Sequence, residues 1–516
     1  MTEPADLILR NAEVHTLADP DGDGTPDAEA VAVRDGEIVR VDTDYEVDFL
    51  EGVETEVVDL AGRTLLPGFV DAHTHMDNLG QYTVHADLSG AASLDEALER
   101  LRENVHEDRE WVLGFGYDES EWGDDADYPT RADLDEVSEE RPVAALRVDL
   151  HTASLNSVAL DLLGDDLPDT DVRTEGGEPT GVVVEDAAET VRETIAPDRE
   201  QTRDLLLAAR DVAHERGVTG VHDMVRDSHA PAVYRDLAED GDLDLRVRIN
   251  YWSDHLDALQ EVGLETNHGG ELVETGAIKT FTDGSFGSRT AKLSEPYADA
   301  PEETGQWVVD PDELDDLVER ADAAGFQVAA HAIGDEAVDA ALDAFERCEA
   351  PGEMRHRVEH AELVTEENVE RFADLGVVAS MQPNFLKWAH EGGLYDARIG
   401  EERRKRADPL RNLADAGVSL AFSSDCMPLD PLLGVHEAVN AESERQRLDV
   451  TEALRAYTVG AAYAGFDEDR LGTVEVGKRA DFTVLDDSPW EHPEEIDGID
   501  VALTVVDGDI VYDGRE

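Results

Sequence analysis

The sequence predicts an α/β protein: a (β/α)8 barrel (TIM barrel) with a small β-sandwich built from both chain ends and a large insertion after the first barrel strand. Eight short apolar runs alternate with helical patterns through the middle of the chain. Both ends carry short alternating strands separated by Asp-Gly turns. About 140 residues separate the first barrel run from the second, far more than a normal strand-to-helix connection.

The chain ends account for the sandwich. Residues 1–62 contain the runs DLILRNAEV, EAVAVRDGEIVRV and TEVVDLAG, and residues 471–516 contain GTVEVGKRADFTVLDD and ALTVVDGDIVYDG. Asp35-Gly36 and Asp507-Gly508 mark hairpin turns. We expect residues 1–62 and 471–516 to form one accessory β-sandwich domain.

An acidic stretch, DPDGDGTPD, interrupts the first end. Its spacing is that of a calcium loop, with candidate positions Asp19, Asp21, Asp23, Gly24 and Asp27. Position twelve is Ala30, so the glutamate that binds calcium through both oxygens is missing. We interpret the stretch as an acidic surface loop, and calcium binding stays open.

The barrel is predicted over residues 63–470. Its eight runs are TLLPGFVDA, VTGVHDM, DLRVRINYW, GAIKTFTD, FQVAAHA, HRVEHA, GVVASMQP and GVSLAFSSD. Helical patterns lie between them, for example at 312–325, 335–348 and 365–374. Residues 80–200, approximately, have strands and helices of their own and predict an inserted subdomain on the catalytic face, where it would form a lid. A second excursion, 384–412, follows the seventh run.

Charge is the most unusual global property. The chain has 123 acidic and 42 basic residues, a net charge of −81, yet 41% of it is hydrophobic and the acids are scattered. This pattern predicts a solvated acidic surface typical of halophilic proteins, whose self-repulsion concentrated salt screens. It argues against nucleic acid and anionic membranes as partners, since both require basic patches.

Two cysteines, Cys348 and Cys426, lie far apart and do not indicate a disulfide framework. The sequence MTEPADLILRNAEV lacks a basic leader before an apolar core, and no apolar run reaches the roughly 18 residues of a membrane span. We therefore expect a cytoplasmic protein with reduced thiols.

Side chains that bind metals occur where barrel runs end. His73 and His75 are two residues apart and face the same side of a strand. The fourth run carries a lysine in its apolar core, and the fifth, sixth and eighth runs end in further candidates: Lys279, His331, His360 and Asp425. The C-terminal ends of parallel barrel strands converge on one face. Imidazole and carboxylate suit a divalent ion such as zinc.

Lys279 is the unexpected member of this set, because an ammonium has no lone pair for a metal. It fits the site if CO₂ has added to its amine, giving a carbamate that bridges two ions. It is otherwise a neutral or salt-bridged bystander. The sequence leaves open whether the site holds one ion or two.

The motifs PGFVDAHTH, HAIGD, VEHA and SSD, in this order and with a strand lysine, resemble the amidohydrolase superfamily of metal-dependent hydrolases. The terminal pieces TLLPGFVD, LGTVEVGKRADFTVLD and VVDGDIVYDG resemble its accessory β-sandwich. IKTFTDGSFGSRTA, HAIGDEAV, MQPNF, GFGYDESEW and HTASLNSVAL resemble the branch that includes N-substituted formamide deformylase. The resemblance covers nearly the whole chain.

The resemblance implies a role for each metal-site residue. His73, His75 and Asp425 would hold one ion, His331 and His360 the other, and Lys279, as N6-carboxylysine, would join them. Metal-bound hydroxide would attack the substrate, and Asp425 would carry the proton from the attacking water to the leaving nitrogen.

Further residues are candidates for substrate contact. Asp283, Ser285 and Arg289 follow the fourth run, although a DGS turn also serves to reverse the chain. Gln382 ends the seventh run. The insertion offers four more, whose alternative role is packing: Tyr117, Trp122, His151 and Asn156. His222 and Asp223 have no indicated metal role, and Cys426 is expected to be packed in the core.

The expected activity is hydrolysis of a carbon–nitrogen bond, other than a peptide bond, in an amide-like small molecule. A formamide or another N-acyl amine is the first candidate. A deaminase or a cyclic-amide hydrolase would use the same site, and a regulatory protein that binds metal without turnover is a third interpretation. A homodimer stays open.

Overall fold

An eight-stranded parallel sheet forms the centre of the chain. The computed structural model describes residues 3–20, 22–106, 109–123 and 127–515. Each strand of the sheet pairs in parallel with the next one along the chain. Barrel strands 1 to 8 are Phe69–Thr74, Val218–Val225, Arg246–Trp252, Val273–Phe281, Val328–Ala332, Arg357–His360, Val378–Met381 and Leu420–Phe422. The predicted barrel is confirmed, with all eight strands in order.

Barrel strand 1 is only part of the predicted run TLLPGFVDA. Thr64–Pro67 pairs with Phe482–Leu485 in the accessory sandwich, and Phe69–Thr74 enters the barrel. The division falls at the Pro-Gly step, because proline has no amide hydrogen for a ladder. A Cβ atom at Gly68 would lie 2.3 Å from Thr219 Oγ1. The prediction of one strand was therefore wrong, and the run contains two.

The carboxylate of Asp71 joins barrel strands 1 and 8 near the face where their C-terminal ends lie. Its Oδ1 atom accepts hydrogen bonds from the amides of His73 and Ser424, each at 3.1 Å. The amide of Asp425 donates to the carbonyl of His73 at 3.0 Å. These bonds fix the first and last strands to each other directly beside two predicted ligands.

Helices connect the barrel strands, as the helical patterns predicted. The longer ones are Arg199–Glu215, Ala230–Asp240, Pro311–Ala323, Asp335–Glu346, Glu366–Leu375 and Pro431–Asn440. The shorter ones are Leu256–Glu261, Leu394–Ile399, Glu401–Arg404, Leu410–Asp415, Val450–Arg455 and Ala461–Ala464. Helix Glu366–Leu375 has clear end signals: the Thr365 side chain accepts from the Asn368 amide, and Gly376 ends the helix with a φ of 67°. The excursion after barrel strand 7 begins with the 3-10 helix Pro383–Trp388.

The chain ends form two sheets with a common apolar core. One sheet contains, in spatial order, Glu37–Asp42, Ala30–Arg34, Leu7–Arg10 and Glu56–Asp59. The other contains Glu13–Val14, Thr64–Pro67, Phe482–Leu485, Val501–Val506 and Asp509–Asp513. Both predicted hairpins are confirmed, and their Asp-Gly turns have positive φ at both residues. The run GTVEVGKRADFTVLDD forms a strand only in its last third.

Residues Met76–Ala209 form a compact unit, called the insert below. Its six-stranded sheet contains, in spatial order, Val172–Glu175, Glu178–Val184, Thr152–Leu155, Val143–Arg147, Val112–Tyr117 and Ala86–Asp87. Its helices include Met76–Val84, Leu94–Glu103, Arg131–Asp135, Ser157–Leu163 and Glu185–Thr194. The unit therefore has a sheet and an apolar core of its own.

The acidic stretch near the first chain end is stabilised by its own hydrogen bonds. Asp27 Oδ2 accepts from the Thr16 amide at 2.8 Å and from its hydroxyl at 2.6 Å. Asp23 Oδ1 accepts from the Thr25 amide at 3.1 Å. Asp21 of the possible calcium loop lies outside the described residues. The described acids thus have local partners typical of a surface loop.

Both cysteines are free thiols. In the described parts of the chain, we find no helix with the length and apolarity that crossing a bilayer demands.

Candidate metal centre

Asp425 faces both histidines of barrel strand 1. Its Oδ1 atom lies 3.3 Å from His75 Nε2 and 3.8 Å from His73 Nε2. His73 is almost fully buried, whereas His75 and Asp425 keep 27% and 18% of their side chains exposed. The HTH motif and the SSD motif therefore meet at one point, which remains open to solvent on one side.

His331 and His360 bring two more imidazoles to the same point. The ring of His360 lies 5.0 Å from that of His73 and 4.5 Å from that of His331, measured between centroids. Ligand atoms of His73, His360 and Asp425 all lie within 4.8 Å of one another. We call the six residues predicted as ligands the metal centre: His73, His75, Lys279, His331, His360 and Asp425.

Positive φ angles occur at two residues of the metal centre. His360 has a φ of 74° and Asp425 a φ of 55°, values that are uncommon outside glycine. His360 directly follows Glu359 on a strand, so simple alternation would turn the two side chains to opposite faces. The unusual backbone at His360 breaks this alternation. Such conformations cost on the order of 1–3 kcal/mol each and concentrate at functional sites.

One nitrogen of His331 is fixed by its hydrogen bond. Its Nε2 atom lies 3.1 Å from the Gly284 carbonyl, which can only accept, so Nε2 carries the proton. Nδ1 then has a lone pair, and it is buried without a hydrogen-bond partner among the described residues. The Phe281 ring stacks on the imidazole at 4.2 Å and holds its plane. His331 thus offers an unused, oriented donor atom.

Lys279 is buried in barrel strand 4, and its Nζ atom meets no hydrogen-bond partner in the described part of the chain. The two oxygens of the nearby Glu359 bond instead to His73 and to Arg357. Burial lowers the pKa of Lys279 to about 8. The contacts of Lys279 among the described residues therefore do not include a salt bridge.

Burial decides the charge of the imidazoles. Desolvation lowers the pKa of His73, His331 and His360 well below the ordinary value, and nearby cations lower it further. Burial would raise the pKa of Asp425, but the hydrogen bond with His75 and the charges around it outweigh burial, and the net shift is downward. Burial also lowers the pKa of His75, but the hydrogen bond with Asp425 and the charge of that carboxylate outweigh burial, and the net shift is upward. The centre thus combines three neutral imidazoles with an ionised carboxylate that is paired with His75.

This donor set fits a divalent cation. Neutral imidazole nitrogens and a carboxylate are the ligands of zinc and related first-row ions. The unpartnered buried atoms of Lys279 and His331 are the kind of polar group that is costly to bury unless something binds to it. The residues present could hold one ion, or two with a modified Lys279 between them.

Asp283, predicted as a substrate contact, forms hydrogen bonds with the backbone around it. Its carboxylate is fully buried and accepts hydrogen bonds from the amides of Lys292, Ile333 and Gly334 at 2.7, 3.0 and 2.9 Å. Burial raises its pKa to about 7, against the opposite effect of these bonds. Asp283 lies 3.6 Å from His331 Nε2 and supports the loop beside that ring. Backbone amides occupy both oxygens, and substrate contact by Asp283 stays a prediction.

Arg289 and Gln382 have different surroundings. Arg289 forms two hydrogen bonds with Asp299, at 3.1 and 2.8 Å, so its guanidinium is already paired. Gln382 follows barrel strand 7, is buried, and donates from Nε2 to Ser423 Oγ at 2.8 Å. Its Oε1 atom has no hydrogen-bond partner among the residues that the structure describes. Gln382 stays a candidate, whereas substrate binding by Arg289 would require its ion pair to open.

Tyr117 and Trp122 pack within the insert. Tyr117 is fully buried, and its hydroxyl lies 3.2 Å from Ser154 Oγ. Trp122 donates from Nε1 to the Ala91 carbonyl at 2.8 Å. Both belong to an apolar cluster of the insert, which is the packing role that the sequence also allowed.

Asn156 caps a helix of the insert, while His151 is exposed. The Asn156 carbonyl oxygen accepts from the Ala159 amide at 2.9 Å, and its amide nitrogen donates to the carbonyls of Ser138 and Arg141. The side chain of Asn156 is buried and both ends of its amide are hydrogen-bonded, which matches the alternative role in packing; substrate binding by Asn156 stays a prediction. His151 pairs with Glu185 at 3.3 Å on the surface of the insert.

Two fully buried charged residues beside the metal centre, Arg357 and Glu359, were not predicted from the sequence. Arg357 and Glu359 lie two residues apart on barrel strand 6, and neither has exposed surface. Glu359 contacts His73, and an Arg357 nitrogen lies 2.9 Å from Nδ1 of His222. The available signal was the pair of charged residues at alternate positions, R-x-E, inside a run that reads as a barrel strand.

A second cluster of metal-capable side chains does not suit a metal. Asp322, Cys348 and His356 also have ligand atoms within 4.8 Å of one another. His356 Nδ1 accepts a hydrogen bond from the Val328 amide, so the ring proton is on Nε2, which donates to Asp322 at 3.1 Å. The imidazole therefore has no free lone pair, in contrast to His331.

Comparison with known proteins agrees with the fold. The model of a family described as the amidohydrolase family matches residues 56–512. The chain belongs to the amidohydrolase family. An amidohydrolase is a hydrolase, and the match spans every residue of the metal centre.

Relatives of known sequence or structure match this amidohydrolase over its length. YtcJ of Bacillus subtilis (strain 168), which carries the name of an amidohydrolase, is 32% identical over 98% of this chain and 99% of its own. N-substituted formamide deformylase of Arthrobacter pascens is 29% identical over 99% of each chain. The crystal structure of an uncharacterized metal-dependent hydrolase from Pyrococcus furiosus is 33% identical, with a TM-score of 0.80 over 94% of this chain and 99% of that one.

Proposed function

We propose that this amidohydrolase uses a divalent metal to hydrolyse a carbon–nitrogen bond, other than a peptide bond, in an amide-like small molecule. A formamide or another N-acyl amine is the first candidate substrate. The observation that carries the proposal is the position of the Asp425 carboxylate, 3.3 Å from His75 and 3.8 Å from His73 on the face where His331 and His360 end their strands. The full-length similarity to N-substituted formamide deformylase supports the choice of substrate.

The resemblance to amidohydrolases implies two groups of ligands. His73, His75 and Asp425 would hold one ion, and His331 and His360 a second. A bound divalent ion supplies a Lewis acid that lowers the pKa of water and polarises a carbonyl. Burial lowers the pKa of His73, His331 and His360 and so favours the neutral imidazole, which is the form that binds a metal.

Asp425 would move the proton. An ionised carboxylate accepts a proton from the attacking water and then gives it to the leaving nitrogen. The carbonyl carbon gains the water oxygen, the carbon–nitrogen bond breaks, and the products are a carboxylic acid and an amine. The partial exposure of Asp425 leaves room for a substrate beside it.

Lys279 would enter the centre as a carbamate. At a pKa of about 8, roughly a quarter of its amines are neutral near pH 7.5, against about a thousandth at the ordinary value. After the ammonium has lost one proton, the neutral amine can add CO₂ and release a second proton, so the charge of the side chain changes from +1 to −1. The absence of a hydrogen-bond partner for Nζ among the described residues supports this assignment.

Metal content and a substrate panel test the proposal. The panel contains N-substituted formamides, other N-acyl amines, cyclic amides and amino-substituted heterocycles, assayed in concentrated KCl with added zinc or manganese. We expect hydrolysis of at least one N-acyl amine, and its loss in His73→Ala. A metal-loaded protein that hydrolyses only cyclic amides or removes amino groups would overturn the substrate class, and full activity in His73→Ala would overturn the mechanism.

A further inference from the structure

The Nδ1 atom of His73 contacts a buried carboxylate, that of Glu359. Glu359 Oε2 lies 2.6 Å from His73 Nδ1, and neither side chain has more than 1% of its surface exposed. A carboxylate only accepts, so Nδ1 must donate and carry the ring proton. Nε2, the atom that faces Asp425, is then the atom with the lone pair.

Arg357 keeps Glu359 in place. Its Nε atom donates to the other carboxylate oxygen, Oε1, and Nη2 donates to the carbonyl of Ala72, next to His73. The guanidinium also lies 2.9 Å from His222 Nδ1 and 3.5 Å from Ser380 Oγ. Arg357 thus connects barrel strands 1, 2, 6 and 7.

A buried charge pair of this kind is an unusual choice if packing is its only purpose. Burying two ions is costly, and well-packed apolar residues of similar volume are often at least as stable. Glu359 and Arg357 have no exposed surface, and both oxygens of Glu359 have a specific donor. Carboxylates that accept from the second nitrogen of a metal-binding histidine fix its tautomer and orientation.

We propose that Glu359, held by Arg357, is a positioning residue that fixes His73 with its proton on Nδ1 and its Nε2 lone pair toward the metal centre. It deepens the proposed function, because it rests on His73 being a ligand. Glu359 does not touch the substrate or the reacting atoms. Its effect is on how tightly the centre holds its ion.

The Glu359→Gln variant tests the tautomer itself. The amide has one acceptor atom, and Arg357 Nε–H requires it, so the NH₂ group turns toward His73 Nδ1. Nδ1 then becomes the acceptor, and the proton moves to Nε2, where it blocks the metal. Glu359→Asp keeps an acceptor-only carboxylate, although a shorter one, and preserves the tautomer.

The chain contains a matched control. His356, directly before barrel strand 6, also contacts a carboxylate, Asp322, at 3.1 Å, but it does not belong to the metal centre. Asp322→Asn therefore removes a comparable histidine–carboxylate contact. We expect it to leave metal affinity unchanged.

The readout is zinc affinity of the intact chain, measured by competition with a chelator, together with the unfolding temperature of the metal-free protein. We expect Glu359→Gln to lose about tenfold to hundredfold in affinity, Glu359→Asp to lose less, and Asp322→Asn to lose none. Equal losses in the Gln and Asp variants would assign the effect to packing and overturn the proposal, as would wild-type affinity in Glu359→Gln.

Two other results, a variant that does not fold and a failure of the proposed function, can be distinguished from a failure of this proposal. If Glu359→Gln does not fold, the ring nitrogens of His73 are examined by ¹⁵N NMR in the metal-free wild-type protein, where we expect the proton on Nδ1; a proton on Nε2 would overturn the proposal. A wild-type protein that binds zinc but hydrolyses nothing in the panel would contradict the proposed function alone. A wild-type protein that takes up no ion would contradict both.

Discussion

Replacing Asp425 by asparagine removes the ability of this side chain to accept a proton while nearly keeping its size and shape. Asparagine has nearly the same size and keeps an oxygen that can face His75 Nε2, now 3.3 Å from Asp425 Oδ1. It cannot accept a proton from water at neutral pH. We expect Asp425→Asn to fold, because the hydrogen bond that residue 425 donates to His73 of barrel strand 1 comes from the backbone amide and is kept.

The expected loss of kcat/KM follows from the role of Asp425 as general base and then general acid. Positioned general acid–base groups contribute about 10²- to 10⁴-fold. Asp425 would act twice, on water and on the leaving nitrogen, so we expect a loss of about 10³-fold in kcat/KM. That loss corresponds to about 4 kcal/mol of transition-state stabilisation.

The assay pairs kcat/KM for the best substrate of the panel with metal content in the same sample. Metal content is needed because Asp425 is also a predicted ligand, and asparagine is a weaker one. Asp322→Asn, which alters a carboxylate beside a histidine outside the centre, is the control and should keep wild-type kinetics. An Asp425→Asn protein with wild-type metal content and kcat/KM within about threefold of wild type would refute the reasoning.

Three further predictions follow from other parts of the chain. Lys279→Ala should lose metal and activity, and an added short carboxylate such as acetate should partly restore both; full activity without the acid would contradict a bridging role. His15 is buried against Trp490 at 4.2 Å between ring centroids, and burial lowers its pKa to about 4. Because His15 binds a proton more readily in the unfolded state, the free energy of unfolding falls as the pH drops below about 6.5, by about 2 kcal/mol at pH 5. The His15→Phe variant should therefore begin to unfold at a lower pH than the wild type. An unchanged pH midpoint of acid unfolding would contradict this role of His15. The net charge of −81 predicts that the unfolding temperature rises between about 0.1 and 3 M KCl as repulsion is screened, and a flat dependence would contradict a halophilic surface.

The barrel and its order could be predicted from the sequence because strand runs, turns and helix ends leave local signals. Each barrel strand is a short apolar run, and the Asp35-Gly36 turn has the positive φ angles that such a pair favours. The Pro-Gly step in TLLPGFVDA was visible as well. Its meaning depended on Phe482–Leu485, a strand more than 400 residues away along the sequence.

The sequence predicted that the candidate ligands would lie close together, but it did not predict which residues surround them. Strand ends converge in a barrel, so the histidines and Asp425 could be expected on one face. The sequence could not tell that backbone amides occupy Asp283, or that Asn156 caps a helix, because residue type does not reveal which partner takes a polar atom. Glu359 was missed for the same reason: its importance comes from the contact with His73.

Anomalous diffraction from crystals of the metal-loaded protein tests the central claim most directly. The account predicts a metal peak bonded to His73 Nε2, His75 and Asp425, a second peak near His331 and His360, and extra density on the Lys279 amine between them. Metal peaks elsewhere in the molecule, with His73 and His360 unbound, would contradict it.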